Sequence, residues 1–431
     1  MLVAGCGGNG SSGDDGGGDA PPAGTPLADR LTVATIAAPA GVIGGGASYR
    51  IWGTGNLKVG RVFTVPYADC GTLVGYSTGS IATPTAQIAR IGANDQLITT
   101  YAAGAFELRG LAAEPDGHFA ALLWDQAAQS LHVQRFTATG SADWSTSLDD
   151  PLAKPTDFGI GETRFEYGNG TYGAYFHVHG VSSWATGHEG DALHWVTASS
   201  GAHQIGWTWG CSHSMSELLR YDAAATTILP ICVTDCYPGT TGGNFATDSI
   251  GGVYLENTTK VIDVDGGCNG SVAGELGGAA PAPAGWKLVF NAHQNAATMG
   301  QSSYSAATMN QDIAFASIGM NKQPSAVVWL STTSGNEANS SIARWQPSGD
   351  ATEQYVVGWS DPSGYQLGRI SATGAFLEGP TATTAKWGER DDPFREHLNN
   401  DIVWSWFDAP ADTSFHLARL RSGGSAQCAA L

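Results

Sequence analysis

Six of the eleven histidines, His177, His179, His188, His194, His203 and His213, fall within 37 residues, where even spacing would place about one. His177 and His179 sit two apart in the aromatic, β-rich run YFHVHG, so on a strand both imidazoles project from one face. Two imidazoles on one strand are a usual start for a transition-metal site. The connection that follows, His188-Glu189-Gly190-Asp191, can add a third imidazole or a carboxylate. The candidate ligand set is therefore His177, His179, His188, Glu189 and His194. Whether His194 joins it depends on hairpin register, because a one-residue slip moves a side chain to the other face. Zinc or copper suits such donors, and calcium, which prefers oxygen, suits them less. Without metal, a neutral His177 or His179 can act as a general base, with Tyr172, Tyr175 or Tyr221 as the acid. Trp184, Trp195, Trp207 and Trp209 flank these residues and offer flat faces either to a sugar ring or to the protein core. The competing structural reading is that the histidines are polar residues in the turns and edges of a tryptophan-rich sheet.

Other chemistry is less well supported by spacing. Gly210-Cys211-Ser212-His213-Ser214 is not a Gly-x-Ser-x-Gly elbow. Asp263-Val264-Asp265-Gly266-Gly267 opens like a calcium loop but lacks the later acidic ligand, so a plain turn is expected. Lys and Arg number 20 against 39 Asp and Glu, a formal charge of -19, which disfavours nucleic acid and anionic membrane surfaces as partners. Mean hydropathy is -0.11, and no stretch approaches the roughly 18 apolar residues of a spanning helix.

The elements that must position these residues show in the composition and in repeats. With 59 glycines, 14 tryptophans and only 14% charged residues, the chain is expected to be all-β. Residues 118–140 read HFAALLWDQAAQSLHVQRFTATG and residues 354–374 read QYVVGWSDPSGYQLGRISATG. Each alternates apolar and polar residues around a Gly/Asp/Pro/Ser turn, as a β-hairpin does. Looser copies are expected at 325–349 and 401–424, with the second strand of another at 87–95. Hairpins scattered along the chain need stacked neighbours to bury their faces, and radial repetition achieves this with few exposed edges. This predicts a β-propeller, with a parallel β-helix as the alternative. Arg135 and Arg369 lie 234 residues apart, about five blades of about 47 residues. A single domain over 30–431 then holds seven blades, within a range of six to eight. Ser214-Met215-Ser216-Glu217 has capping-box spacing and predicts at most one helical turn.

The first residues, Met1-Leu2-Val3-Ala4-Gly5-Cys6, are followed by a Gly/Ser/Asp tract. They resemble the end of a bacterial lipoprotein signal, without its basic region and most of its apolar region. The resemblance implies lipidation at Cys6, residues 1–29 as signal remnant and tether, and an envelope location, periplasmic or at the cell surface. Membrane contact would then be through the lipid alone. The other cysteines, Cys70, Cys211, Cys232, Cys236, Cys268 and Cys428, are even in number and fit disulfides in an oxidising compartment better than a zinc cluster. Cys70–Cys428 is the preferred long-range bridge, and the other four lie within 211–268. The expectation is a monomeric, envelope-anchored propeller that binds a glycan or a partner protein. The alternative is an extracytoplasmic enzyme with its site in residues 172–221, either metal-dependent or similar to propeller polysaccharide lyases that use His and Tyr.

Overall fold

In the computed structural model the described residues span 24–424, apart from segments within 39–61, 151–162, 181–188, 212–216, 235–251, 257–274, 293–309 and 389–391 and residues 81 and 410. They form six four-stranded sheets and one five-stranded sheet, with two further two-stranded ribbons at Tyr49–Leu57 and Gly266–Val272. The seven larger sheets are antiparallel and follow one another along the chain, covering 62–102, 107–147, 163–210, 217–263, 275–329, 338–383 and 395–420. We number these blades one to seven.

The first strand of each blade touches the first strand of the next, from Val62–Pro66 round to Arg395–Glu396 and back. Seven buried clusters fill the seven gaps between neighbours. Phe119, Leu123 and Phe136 meet Leu73 and Ile88 between blades one and two, and Trp345, Val356 and Leu367 meet Trp404 and Leu420 between blades six and seven. Alternation explains this arrangement, because each strand sends successive side chains to opposite faces and every blade is covered on both. The chain is thus an all-β, closed β-propeller.

Closure is made by the N-terminal strand Leu31–Ala37, which pairs with Ser414–Leu420 as the outermost strand of blade seven. The expected Cys70–Cys428 bridge falls outside the described residues, although Cys70 is disulfide-bonded. A second bridge, Cys211–Cys232, joins blade three to blade four. It lies in a small cluster with Tyr175, Leu193 and Leu219.

The repeats resolve into equivalent positions. Residues 118–140, 354–374 and 401–424 each contain the second and third strands of a blade, and 87–95 lies on a third strand. Residues 325–349 do not form the expected hairpin. Val328–Trp329 ends blade five and Ala338–Arg344 begins blade six, because the turn between them joins two sheets. Arg344 and Arg369 are therefore on different strands of one blade, which accounts for their short separation. Arg135 and Arg369 lie four blades apart rather than five, the long connections between 151 and 309 lengthening the repeat.

At the expected helical turn, Glu217 instead opens the inner strand Glu217–Asp222, and Ser214, Met215 and Ser216 lie outside the described residues. Among the described residues the single helix is the short Leu27–Arg30, which precedes the closing strand. No helix there is long and apolar enough to cross a membrane.

Candidate functional site

The repeat arginines have structural work. Arg135 on a third strand donates from Nε and Nη2 to the two carboxylate oxygens of Glu114 at 2.6 and 3.0 Å, with Glu114 just beyond the first strand of the same blade. Arg90 donates to Asp69 at 2.7 Å and Arg419 pairs with Asp401 at 3.4 Å in corresponding places. Arg419 also reaches Asp95 of blade one at 2.7 Å, across the closure. A guanidinium presents a planar fork that pins the first turn of a blade to its third strand.

A second set of arginines stands on the inner strands: Arg109, Arg164, Arg220, Arg344 and Arg395. Four of these reach the two cavities of the central channel. Toward the beginnings of the inner strands, a cavity of about 30 Å³ is lined by Thr64, Arg164, Asp392 and Arg395 among others. Toward their ends, one of about 190 Å³ is lined by Glu166, Arg220, Tyr221, Arg344, Arg395 and Glu396, with Pro66, Pro281 and Phe394 as apolar wall.

The channel charges form a partly closed network. Arg395 donates to Glu166 at 3.1 Å, and Arg220 lies 3.8 Å from the same carboxylate. Arg220 also pairs with the Asp392 carboxylate and donates to the carbonyl oxygens of Ala279 and Asp392. Burial brings the Arg220 guanidinium down to about 10, helped by nearby Arg395 and opposed by Asp392 and Glu166. Arg344 and Glu396 line the same cavity, and among the described residues no hydrogen bond or ion pair joins either side chain to a partner. Half-buried on the cavity wall, Glu396 has little water around it, which pushes its carboxyl up to about 7 against the pull of Arg344.

The histidine segment is arranged differently. His177 is buried on Thr171–Gly180 opposite Asp191, with Nδ1 3.4 Å from Oδ1. His194 stands opposite Ala174, so the register sends it to the other face of the blade. There its ring meets Phe176, and its Nδ1 lies 3.0 Å from Nε2 of His203. Of the proposed set of His177, His179, His188, Glu189 and His194, the register places His177 and His194 on opposite faces. His179 pairs in register with Glu189 and Lys154, and His188 lies outside the described residues. Among the described residues no group of three His, Cys, Asp or Glu side chains is placed to hold a metal. His177 lies beyond Phe176, which is opposite the start of the inner strand at Thr163, so it belongs to the other end of the ring from the 190 Å³ cavity.

The tyrosines separate in the same way. Tyr175 is buried with its hydroxyl donating to Sγ of Cys211 at 3.2 Å, and burial holds its pKa well above the usual phenol value. Tyr172 donates across blades to Glu114. Only Tyr221 lines the channel. Of the flanking tryptophans, Trp207 packs edge-on against Tyr175 and donates to the Asp191 carbonyl at 3.1 Å, and Trp209 packs on the cluster between blades two and three. Trp184 lies outside the described residues. The channel arginines escaped the sequence reading because the hairpin repeat marks the second and third strands of a blade and leaves the inner strand that carries each arginine unmarked.

Fold and channel together define a closed β-propeller with a cationic, partly unpaired channel. No family model matches the chain, and no curated protein does. Solved structures with a similar arrangement include the Dos1 propeller, at 11% identity over 87% of this chain and 83% of that one, with a TM-score of 0.43. The β-propeller domain of the Trilobed protease from Pyrococcus furiosus is similar at 7% identity, 84% and 90% coverage and a TM-score of 0.43. An α-L-arabinanase of Penicillium chrysogenum, complexed with arabinobiose, is similar at 9% identity, 90% and 98% coverage and a TM-score of 0.44.

Proposed function

We propose that this chain is a ligand-binding propeller that seats an anionic group of a glycan in its central channel. The observation that carries the reading is the concentration of arginines on the inner strands of a chain whose formal charge is -19. Most of these cations have acidic or carbonyl partners, but Arg344 has none among the described residues; leaving a half-buried cation unpartnered is costly, so an anion that completes it is the best explanation. A cavity of about 190 Å³ is smaller than the roughly 300 Å³ at which drug-sized sites begin and suits a single acidic sugar unit.

Binding of the wild-type chain to oligogalacturonate and to its carboxyl-reduced, neutral counterpart tests this by titration calorimetry. The acidic oligosaccharide should bind and the neutral one should not, with Arg344→Gln weakening binding about 10- to 100-fold, as loss of a hydrogen bond to a charged group does. Equal affinity for both oligosaccharides would overturn the reading. A catalytic second reading is favoured by Glu396, whose carboxyl sits near neutrality where a general acid is useful. Release of shorter or unsaturated products from the same oligosaccharides would support it.

A further inference from the structure

Arg344 and Glu396 are the charged pair of the channel that the protein leaves open. Every other charged side chain on the wall of the 190 Å³ cavity is engaged: Glu166 with Arg395 and Arg220, and Arg220 with Asp392. Arg344, at the end of the inner strand of blade six, and Glu396, on that of blade seven, line the same space without a mutual ion pair. Contact would have been the cheaper arrangement for two opposite charges in a confined site. Their separation leaves one fork of donors and one carboxyl facing a common space, flanked by the Tyr221 and Phe394 rings.

A guanidinium fork matches a planar carboxylate with two parallel hydrogen bonds. A carboxyl beside it can donate to that same anion only while it holds a proton. We propose that the channel selects a carboxylate of a hydroxylated sugar acid, gripped by Arg344 and by protonated Glu396, over sulfate or phosphate esters of the same size. The inference rests on the anionic-ligand reading above and names the chemistry of that site. A second carboxylate shares a proton readily because the two acids have similar affinities for it. A sulfate ester is too weakly basic to share one, and a doubly charged phosphate meets more repulsion from Glu166 on the same wall.

Burial favours protonation of Glu396, and Arg344 opposes it. Arg344 faces it from blade six with Tyr355 close behind, Arg220 and Tyr221 line the cavity from blade four, Glu166 from blade three, and Arg395 precedes it on its own strand. The cavity-lining residues of blades one and five, Pro66 and Ala279 to Pro281, are uncharged. Burial pushes the free carboxyl up to about 7, and an anion placed beside it raises that value further, so binding above neutrality draws a proton from solution.

The experiment is calorimetric titration of the full chain with trigalacturonate, and with a sulfated neutral trisaccharide, at pH 6, 7 and 8 in two buffers of different ionisation enthalpy. Wild type should bind trigalacturonate at least about tenfold more tightly than the sulfated sugar at pH 6, and take up close to one proton per ligand at pH 8. Its affinity should then fall about tenfold per pH unit above about 7. Glu396→Gln, which keeps a donor but no titratable proton, should flatten the pH profile and abolish proton uptake. Arg344→Gln should lose about 10- to 100-fold at every pH, with thermal stability monitored so that an unfolded variant is recognised. Trigalacturonate binding without proton uptake, or equal affinity for the sulfated sugar, overturns this inference and leaves the anionic-ligand reading standing. Failure of both sugars to bind folded wild type overturns both.

Discussion

Arg135 and Arg344 show one residue type serving two ends in the same ring. Arg135 is locked into Glu114 by a two-pronged bond, and Tyr172 from the next blade donates to the same carboxylate. The charge-assisted bonds to Glu114 hold the Arg135 guanidinium even more firmly protonated than usual. Removing the arginine would strand a buried carboxylate, a loss of about 3–5 kcal/mol. Arg135→Ala should therefore lower the urea midpoint by that equivalent, and Tyr172→Phe by only about 1 kcal/mol. An Arg135→Ala protein as stable as wild type would show that this site is solvated and the fork dispensable. Arg344 has no such partner among the described residues, so its substitution should alter binding and leave the urea midpoint nearly unchanged.

At the scale of elements, the contact between blades three and four has the smallest apolar cluster among the described residues, and it is crossed by Cys211–Cys232. The bridge closes a loop of 21 residues' separation, which in the chain-entropy model contributes about 3 kcal/mol. Replacing both cysteines by serine should reduce the unfolding free energy by about that amount with the denaturant slope little altered. Substitution is the cleaner test because a reductant would also open the bridge at Cys70. If the double-serine protein unfolded at the wild-type midpoint, packing of Tyr175, Leu193 and Leu219 alone would suffice at this interface.

Considered whole, the molecule is a ring in which each blade shares both faces with neighbours, so no blade can melt without exposing two clusters. Phe119 illustrates the coupling. Its ring stacks on Phe136 at 5.1 Å, lies 5.6 Å from Tyr101 and 6.3 Å from Tyr67, and so joins blades one and two. Phe119→Ala should cost about 3–5 kcal/mol and shift a single calorimetric transition as a unit. Two resolved transitions, one of them unmoved, would mean that the blades unfold in separate groups.

The periodicity of the chain determined much of this by itself. Alternating hairpins with polar turns, too numerous to bury their faces alone, dictate stacked sheets, and the second and third strands at 118–140 and 354–374 are where local pattern placed them. What the pattern could not supply was the joining of distant strands. Residues 325–349 look like a hairpin yet straddle two blades, because the partner of Ala338–Arg344 lies after it in the chain and not before it. The closing pair of Leu31–Ala37 with Ser414–Leu420 joins segments nearly 400 residues apart, beyond any local signal. The same limit governed the site. A cluster of histidines is visible in one dimension, but facing is decided by register, which sends His177 and His194 to opposite sides of a blade. The channel is assembled from one short strand per blade, so Glu166, Arg220, Arg344 and Glu396 become neighbours only when the ring closes. Residue types and repeat are properties of the chain; which charges share a low-dielectric space, and so which carboxyl is shifted, follows from tertiary closure alone.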